Sequence, residues 1–287
     1  MTATVITTDI WTERRRRVAD LRARHGFARQ LLDFYGALLG VQEKAYGDAA
    51  TASPPAASVA AFVAEVVVPG VLDVSLSVGP ERLRSDLIHR LQVEEPRRMV
   101  ERWMAGEDQP AVDRYLARAA LGPALEALGA DVRAGCGGPR DARHCPECGG
   151  PPQLSYFAPA DEDLASGPRR LLCARCGTSW TFTRMTCPGC GEDSTSRLPI
   201  FSELGTTSGE RGSVVRGLPG AGAQVERAVF PHIRVEACET CRRYLLSIDV
   251  AGDRGAVPVV DELSAVPLDL YARDRGFTKI VTNLMGF

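Results

Sequence analysis

Cysteine spacing is the feature that most constrains this chain. Eight of its nine cysteines form four C-x-x-C pairs, all in the second half of the sequence. A C-x-x-C segment places two sulfurs on one tight turn, where both thiolates reach the same ion at about 2.3 Å. Isolated structural thiols or a single redox-active pair would not repeat in this way. The pattern predicts two metal sites of four thiolates each, formed by Cys145, Cys148, Cys173, Cys176 and by Cys187, Cys190, Cys238, Cys241.

The four pairs differ in how closely they match a metal-binding turn. The pairs that begin at Cys145 and Cys187 both read C-P-x-C-G, and the glycine frees the amides of the turn to point at sulfur. The pair that begins at Cys173 lacks only the proline. The pair that begins at Cys238 lacks both proline and glycine, so it is the weakest match of the four.

Spacing leaves two ways of grouping the pairs. In a sequential grouping, 24 residues separate Cys148 from Cys173, and 47 separate Cys190 from Cys238. In a nested grouping, the 10-residue spacer before Cys187 closes one site and the outer pairs form the other. The entropy of loop closure rises only slowly with loop length, so it excludes neither grouping. We favour the sequential grouping, because its first spacer matches that of metal ribbons.

Four thiolates leave no open coordination position on a tetrahedral ion. Such a site is therefore structural or electron-transferring rather than hydrolytic. Zinc and iron both accept a cage of four sulfurs, and the residues alone do not choose between them. We expect the first site to be shielded by the apolar side chains that flank its turns, namely Leu154, Tyr156, Leu171, Leu172, Trp180 and Phe182.

The remaining cysteine and the histidines are not expected to bind the metals. Cys136 lies in a glycine-rich linker and is predicted to be an unligated, exposed thiol. His144 is adjacent to Cys145, but the sulfurs already saturate the ion, so we expect a surface or supporting residue. His25, His89 and His232 lie far apart in the sequence without a motif, and no catalytic role is predicted for them.

The first half of the chain has the pattern of a helical bundle. Apolar residues recur at helical spacing between about residues 11 and 134, with arginines and acids between them. Helical segments are predicted at residues 80–91, 95–104 and 110–128, with stops at Gly106 and near Gly129. Ser53 precedes two prolines and is predicted to cap a helix that starts there.

The second half has the pattern of short strands and a closing helix. Strands are predicted at residues 153–157, 170–173, 179–184, 196–201, 227–235 and 243–250, and a helix at 268–276. Residues 205–222 are rich in glycine and serine and are predicted to form a hairpin tip or loop. The predicted fold class is α+β, a helical domain (1–138) followed by two rubredoxin-like or zinc-ribbon modules (139–186 and 187–287).

Composition and charge are those of an ordinary soluble protein. Apolar residues make up 45% and charged residues 24%, with a formal net charge of −2. The most apolar stretch, residues 60–78, is interrupted by Glu65, Pro69, Gly70 and Asp73, so no membrane span is expected. The arginine run 14–17 is followed by charged, amphipathic residues, which an export signal would not have. We expect a cytoplasmic chain, whose cysteines stay reduced.

Motifs of common enzymes and of nucleic-acid binding are weak or missing. The sequence contains neither an H-E-x-x-H segment, a nucleophile elbow nor a Walker loop, so no enzyme class is predicted. Residues 141–246 contain 12 Lys/Arg and 12 Asp/Glu, and each four-thiolate site with a divalent ion adds −2. An acidic metal-binding region does not suit a phosphate backbone, so nucleic-acid binding is the weakest of the functional hypotheses.

Beyond these residue-level patterns, the order of the motifs resembles the FdhE family of formate dehydrogenase accessory proteins. The matching segments are C-P-x-C-G-G-x-P at 145–152, L-x-C-x-x-C-G-T-x-W at 171–180, C-P-x-C-G-E at 187–192 and C-x-x-C-x-x-Y-L at 238–245. Residues 261–263 and 268–277 also look similar to the end of that family. In the second half of the chain the resemblance rests on specific motifs, whereas in the first half it rests only on amino-acid composition.

The resemblance implies a non-enzymatic, cytoplasmic maturation factor that binds the catalytic subunit of formate dehydrogenase. It also implies that the eight paired cysteines hold two iron ions in rubredoxin-like sites, with zinc as the alternative. Two other functions compete with this expectation. One is electron transfer by a double rubredoxin, and the other is nucleic-acid binding by zinc ribbons.

Overall fold

The computed structural model describes residues 3–158, 167–203 and 228–287, with side chains described from Ile10 onward. A helical first half is followed by a β-sheet that carries both groups of cysteines and by two short helices. The predicted α+β class is confirmed. The predicted loop at 205–222 lies outside the described residues, and the domain boundaries at 138 and 186 stay predictions.

Eight helices make up the first half of the chain. They are α1 (Ala3–Arg24), α2 (Arg29–Ala52), α3 (Val59–Phe62), α4 (Val68–Val78), α5 (Glu81–Arg90), α6 (Pro96–Ala105), α7 (Ala111–Ala127) and α8 (Ala130–Ala134). Helix α7 is the most buried of them, and it packs against α2 and α6. The periodic apolar positions predicted from the sequence form its core, with Phe34 and Leu38 of α2 facing Leu116 and Leu121 of α7. Gly106 ends α6 with a φ of 80°, as its position in the sequence predicts.

The most apolar run of the chain lies inside this bundle. The segment Ala56–Val78 is a short 3₁₀ turn, α3, a π-helical turn (Val63–Val67) and α4 in continuous order. By length and composition this segment is apolar enough to cross a membrane. Its stripe of Val59, Val63 and Val71 is fully buried against the helical core. The opposite side of the segment is more open, with Val66 44% and Val78 56% exposed, so the segment packs on the helical core by one stripe.

The predicted helix cap at Ser53 is wrong. Ser53 lies at the C-terminal end of α2 in the left-handed region, with a φ of 43°, and its amide donates to the carbonyl of Ala49. The next helical turn begins at Ala56, after Pro55, and no side chain caps it. The two prolines stop α2 because neither can continue its hydrogen-bond ladder, which leaves Ser53 as a terminator rather than an initiator.

Among the described residues, seven strands form one sheet that runs through both cysteine modules. They are β1 (Pro152–Phe157), β2 (Arg169–Cys173), β3 (Ser179–Thr181), β4 (Ile200–Ser202), β5 (Ile233–Cys238), β6 (Arg243–Asp249) and β7 (Thr278–Lys279). The order is β3-β2-β1-β6-β5-β4, with β7 also paired to β6. Strands β1, β2 and β3 of the first module are antiparallel, as are β4, β5 and β6 of the second, whereas β7 pairs with β6 in parallel. The modules meet through the parallel pair β1 and β6. The modules therefore repeat one arrangement side by side.

Two helices after the sheet connect it to the bundle. The predicted closing helix is α10 (Val266–Asp274), and it is preceded by α9 (Pro258–Ser264), which the sequence analysis missed. Helix α9 packs on α1 and α2, where Val260 and Leu263 are buried with Trp11. The buried Arg17 of α1 forms an ion pair with the equally buried Asp261 of α9. The first and last parts of the chain are thus held together.

A second buried ionic network links the sheet to these helices. The ammonium Nζ of Lys279 lies 2.7 Å from Glu262 and 3.0 Å from Asp269, and neither carboxylate is solvent-accessible. Burial raises the pKa of Glu262, and the ammonium nearby favours its charged form. Gln153 of β1 joins the network by donating to Glu262 and accepting from Arg118 of α7. Helix α7, the sheet and α9 are therefore joined by one chain of polar contacts.

Replacing Lys279 with methionine should destabilise the protein strongly. The substitution leaves two buried carboxylates without a cation, and we expect a loss of about 3–5 kcal/mol in the free energy of unfolding by urea. Adding Glu262→Gln to this variant should recover part of the loss. The matched control is Lys44→Met, because Lys44 is exposed and pairs only with Asp48 on the same helix. An equal effect of the two lysine substitutions would contradict a structural role for the network.

Candidate metal centres

The eight paired cysteines form two clusters of four. Cys145, Cys148, Cys173 and Cys176 form the first cluster, and Cys187, Cys190, Cys238 and Cys241 form the second. Within each cluster all sulfurs lie within 4.8 Å of one another. The structure therefore has the sequential grouping that the spacing favoured. The nested alternative is not formed, because β2 and β5 carry the second pair of each cluster beside the first.

Sulfur–sulfur distances in both clusters fit a tetrahedral ion. Four ligands at about 2.3 Å from a central ion lie about 3.8 Å from one another. In the first cluster, Sγ of Cys145 lies 3.7 Å from that of Cys176, and Sγ of Cys148 lies 3.4 Å from that of Cys173. In the second cluster the distances are 3.8 Å for Cys187 to Cys241 and 3.7 Å for Cys190 to Cys238. Each donor set can hold one metal ion.

Backbone turns place the sulfurs in this geometry. After three of the pairs the glycine takes a left-handed conformation, with φ of 68° at Gly149, 71° at Gly177 and 85° at Gly191. Each of these glycine amides donates to the carbonyl of the first cysteine of its pair. Other amides donate to sulfur at 3.3 Å, from Gly150 to Cys148, from Arg175 to Cys173 and from Gly189 to Cys187. Such donors stabilise the thiolate form of a metal ligand.

The fourth turn reaches the same conformation without glycine. Arg242 follows Cys241 and has a φ of 57°, which is unfavourable for a residue with a side chain. Its guanidinium lies 4.1 Å from the centroid of the Phe277 ring and donates to the carbonyl of Arg275 at 2.6 Å. A cation–π contact of this kind contributes about 0.5–1 kcal/mol at exposed sites, which offsets much of the backbone strain. The pair with the weakest sequence match therefore completes a cluster.

The first cluster is buried between the helical bundle and the sheet. All four of its cysteines are buried and belong to the same apolar core as Trp103, Leu121 and Leu125 of the helices. The expected shielding by six flanking residues is largely wrong. Of those six only Trp180 packs on this core; Leu154, Tyr156 and Leu172 pack with the second module, and Leu171 and Phe182 form a separate small cluster. Spacing does not reveal this, because successive residues of a strand point to opposite faces and pack with whichever element covers each face.

Burial makes a cation necessary for the first cluster to be charged. Burial raises the pKa of Cys173 well above that of a free thiol, so four neighbouring thiolates would not ionise here without a compensating positive charge. A divalent ion with four thiolates still carries a net charge of −2. The buried guanidinium of Arg175 lies against this cluster and donates to the carbonyls of Cys148 at 2.7 Å and Gly137 at 2.8 Å. Arg175 is a supporting residue that sequence analysis missed.

The second cluster lies closer to solvent. Cys187 and Cys238 are buried, whereas Cys190 and Cys241 are solvent-accessible. Burial also raises the pKa of Cys187. The side chain of Ile280, which follows β7, comes within 3.5 Å of the position that a Cβ on Gly189 would take, so this turn packs on the sheet. The two clusters have the same donor sets but different access to water.

The remaining cysteine does not match its predicted exposure. Cys136 was expected to be exposed, but only 4% of its surface is accessible, and it packs in the helical core. The linker is drawn inward because the amide of Gly137 donates to the carbonyl of Met104 and its carbonyl accepts from Arg175. Burial raises the pKa of the Cys136 thiol.

Within the described residues, neither four-cysteine cluster includes a histidine. His144 contacts Asp141 through Nδ1 at 2.7 Å, as expected for a supporting residue. His25 packs on the rings of Phe27 and Phe230, and His89 is exposed on α5. His232 lies with Asp253 and Asp261 in a group that has metal-ligand atoms close together. The guanidinium of Arg17 pairs with both of these carboxylates and supplies the positive charge there, so the group is a salt-bridge network.

Comparisons with known proteins relate the chain to one family. Residues 220–285 match the family model "FdhE, C-terminal domain". Curated proteins named "Protein FdhE homolog" match half of the chain, with 31% identity over 146 residues in Aquifex aeolicus and 28% over 141 residues in Pseudomonas aeruginosa. These alignments cover 50% and 49% of this chain but 42% and 38% of those relatives.

A solved structure shares the fold over almost the whole chain. The crystal structure of the FdhE protein from Pseudomonas aeruginosa superposes with a TM-score of 0.59 at 20% identity. The superposition covers 97% of this chain and 96% of that one. The helical half, whose sequence pattern is only compositional, is therefore included in the shared fold. The sequence matches and the fold agree with the resemblance noted from the cysteine motifs.

Glycine substitutions should separate backbone strain from steric clash in the turns. A Cβ on Gly191 would meet no atom within 4 Å, so Gly191→Ala should cost only the left-handed backbone, about 1–2 kcal/mol. A Cβ on Gly149 would approach the Gly138 carbonyl group at 3.0 Å and the side chain of Arg140, so Gly149→Ala should cost more. Urea denaturation of the metal-loaded protein measures both, with Gly191→Asn as a control that tolerates the same conformation. Equal losses for the two alanine variants would contradict this account.

Metal release should occur in two phases. The solvent-accessible second cluster should give up its ion to a chelator first, and the buried first cluster only after the bundle opens. We expect Cys190→Ser to remove the fast phase and Cys148→Ser to remove the slow one, as followed by metal–chelator absorbance. Because the first cluster is part of the helical core, Cys148→Ser should also weaken the helical half. A single release rate for both ions would contradict the difference in access.

Proposed function

We propose that this chain is an accessory factor needed to make active formate dehydrogenase. Its resemblance to the FdhE family is supported by the match to the C-terminal domain and by the shared fold. One observation carries the proposal. The segment that matches the FdhE C-terminal domain contains Cys238 and Cys241, which complete the second cluster. The sequence match to the FdhE family therefore extends over residues that form part of the second cluster.

The proposed role is binding rather than catalysis. Both clusters present four sulfurs, so an ion held in either has no open position for a substrate. The ions would instead fix the turns that support the shared sheet, since metal binding contributes directly to folding. The proposed client is the catalytic subunit of formate dehydrogenase, which the accessory factor would bind in the cytoplasm during assembly.

The proposed ions are iron, with zinc as the alternative. Cysteine donors at these distances suit either metal, and neither sulfur cage distinguishes them by geometry. Iron held by four thiolates gives visible absorbance that changes on reduction, whereas zinc gives a colourless protein. Elemental analysis and a visible spectrum of protein purified without added metal therefore decide between them, and about two ions per chain are expected.

Electron transfer is a second candidate, and the solvent access of the second cluster favours it. Cys190 and Cys241 would bring an iron held there near a redox partner. The scaffold function and the electron-transfer function predict different activities for a protein that holds zinc. A zinc-loaded protein that restores formate dehydrogenase activity would exclude electron transfer and would be compatible with a scaffold.

Cells without this gene should lose most of their formate dehydrogenase activity. Expression of the wild-type chain should restore the activity, and Cys148→Ser should restore little of it, because the first cluster then lacks a ligand. The matched control is Cys136→Ala, which removes a buried cysteine that lies outside both clusters. Activity in cell extracts, with the amount of catalytic subunit measured by immunoblot, provides the readout. Unchanged activity in the deletion strain would refute the proposed function.

A further inference from the structure

A large groove lies on the helical half, on the side of the bundle that the C-terminal segment 282–287 covers in part. Its volume is about 610 Å³, within the range of 300–1,000 Å³ that is usual for ligand sites. Its walls come from α2, α5, α7 and the segment 282–287, and they include Phe34, Leu83, Val112 and Met285. We call this cavity the tail groove. It does not include the ligand atoms of either cysteine cluster.

The tail groove carries an excess of positive charge. Among the described residues its charged side chains are Arg82, Arg114, Arg118, Arg273 and one acid, Asp86. Short-range neutralisation of the arginines is weak. Arg82 lies 3.9 Å from Asp86, and Arg114 lies 3.9 Å from Asp108, which is almost fully exposed. The net charge of the lining side chains is therefore +3, in a chain whose formal side-chain charge is −2.

Two buried donors on the groove wall lack acceptors. Arg118 is 7% exposed, and it donates to the carbonyl of Thr282 and to Gln153, but its Nε has no hydrogen-bond partner within the described chain. Asn283 is 1% exposed; its Oδ1 accepts from the amides of Met285 and Phe287, and among the residues described here its Nδ2 is also without a partner. A buried donor left unpaired costs about 1–3 kcal/mol. Both nitrogens are themselves buried beneath the groove surface, so they mark a strained polar wall rather than contacts open to a ligand.

The surface beside the groove is apolar and open. A second depression of about 580 Å³ shares Gln30 and Phe34 with the tail groove and is bordered by Phe27 and Val78. Phe27 and Val78 are 60% and 56% exposed, so they offer apolar surface next to the groove. The combined surface extends beyond what a small anion would fill. Arginine, methionine and aromatic residues are the residue types enriched in protein interfaces.

We propose that the tail groove binds a segment of a partner protein that carries acidic and apolar side chains. Carboxylates of that segment would accept hydrogen bonds from the arginines that line the groove, since charge-assisted bonds of this type are short and strong. Its apolar side chains would pack on Phe34, Leu83 and Met285 and continue toward Phe27. In identifying the partner with the client, the inference rests on the proposed function. The groove is then the surface that recognises the catalytic subunit of formate dehydrogenase.

A synthetic probe tests the groove independently of the client. Three short fluorescent peptides are compared by anisotropy with metal-loaded protein, alternating leucine with glutamate, glutamine or lysine. The glutamate peptide should bind about tenfold more tightly than the glutamine peptide, and the lysine peptide most weakly. The double variant Arg114→Gln/Arg273→Gln should lose this preference. The matched control is Arg97→Gln/Arg98→Gln, two exposed arginines of α6 that do not line the groove.

Equal binding of the acidic and neutral peptides would overturn the inference, as would an unchanged preference in the groove variant. Displacement of the acidic peptide by citrate or phosphate at comparable concentration would also overturn it, because the site would then belong to small anions. Retention of the preference in the control variant, with loss in the groove variant, would support it.

A co-purification experiment with the catalytic subunit tests the tail groove and the proposed function separately. The catalytic subunit of formate dehydrogenase should co-purify with the wild-type chain and the control variant, and much less with the groove variant. Co-purification that is equal for all three variants would refute the groove as the client surface while the proposed function stands. Binding of the acidic peptide without any binding of the catalytic subunit would refute client binding in the proposed function, while the groove remains a site for acidic segments.

Discussion

Four buried sulfurs at the junction of helices and sheet are the arrangement on which the rest of this structure depends. In the first cluster, Cys145 and Cys148 come from the turn before β1, and Cys173 and Cys176 come from the end of β2. Their sulfurs are spaced for one tetrahedral ion and are enclosed by α7 and its neighbours. Burial and the closeness of the four sulfurs disfavour ionising all of them together, so a cation is needed to hold all four as thiolates. Arg175 adds positive charge from the protein side.

The two clusters have the same turn geometry but lie in different environments. In each case a left-handed residue closes the turn after the second cysteine of a pair, and strands of the shared sheet bring two such turns together. Differences in burial then separate their properties. The first cluster belongs to the main core, whereas the second lies at the surface with Cys190 and Cys241 accessible to water. A chain built in this way can keep one ion as a permanent part of the fold and expose the other.

Buried charge joins the distant parts of the chain. Arg17 pairs with Asp261, and Lys279 pairs with Glu262 and Asp269, all of them deep in the structure. Networks of this kind contribute less to net stability than to the choice of one arrangement, since a misplaced element would leave a charge unpaired. They fix α9 and α10 against both the bundle and the sheet. The same packing positions the segment 282–287 and so shapes one wall of the tail groove.

The sequence by itself determined the two groups of four cysteines, the mixed fold and the approximate positions of several helices and strands. Those features depend on local spacing, namely C-x-x-C for the sulfurs and helical or alternating periodicity for the elements. Only the tertiary structure decided the burial of Cys136, the terminating role of Ser53, the support from Arg175 and the unequal access to the two clusters. These depend on which faces meet after folding, and contacts between residues far apart in sequence leave no local periodicity to reveal them. The tail groove is of the same kind, because its walls come from helices and a segment that are separated by most of the chain.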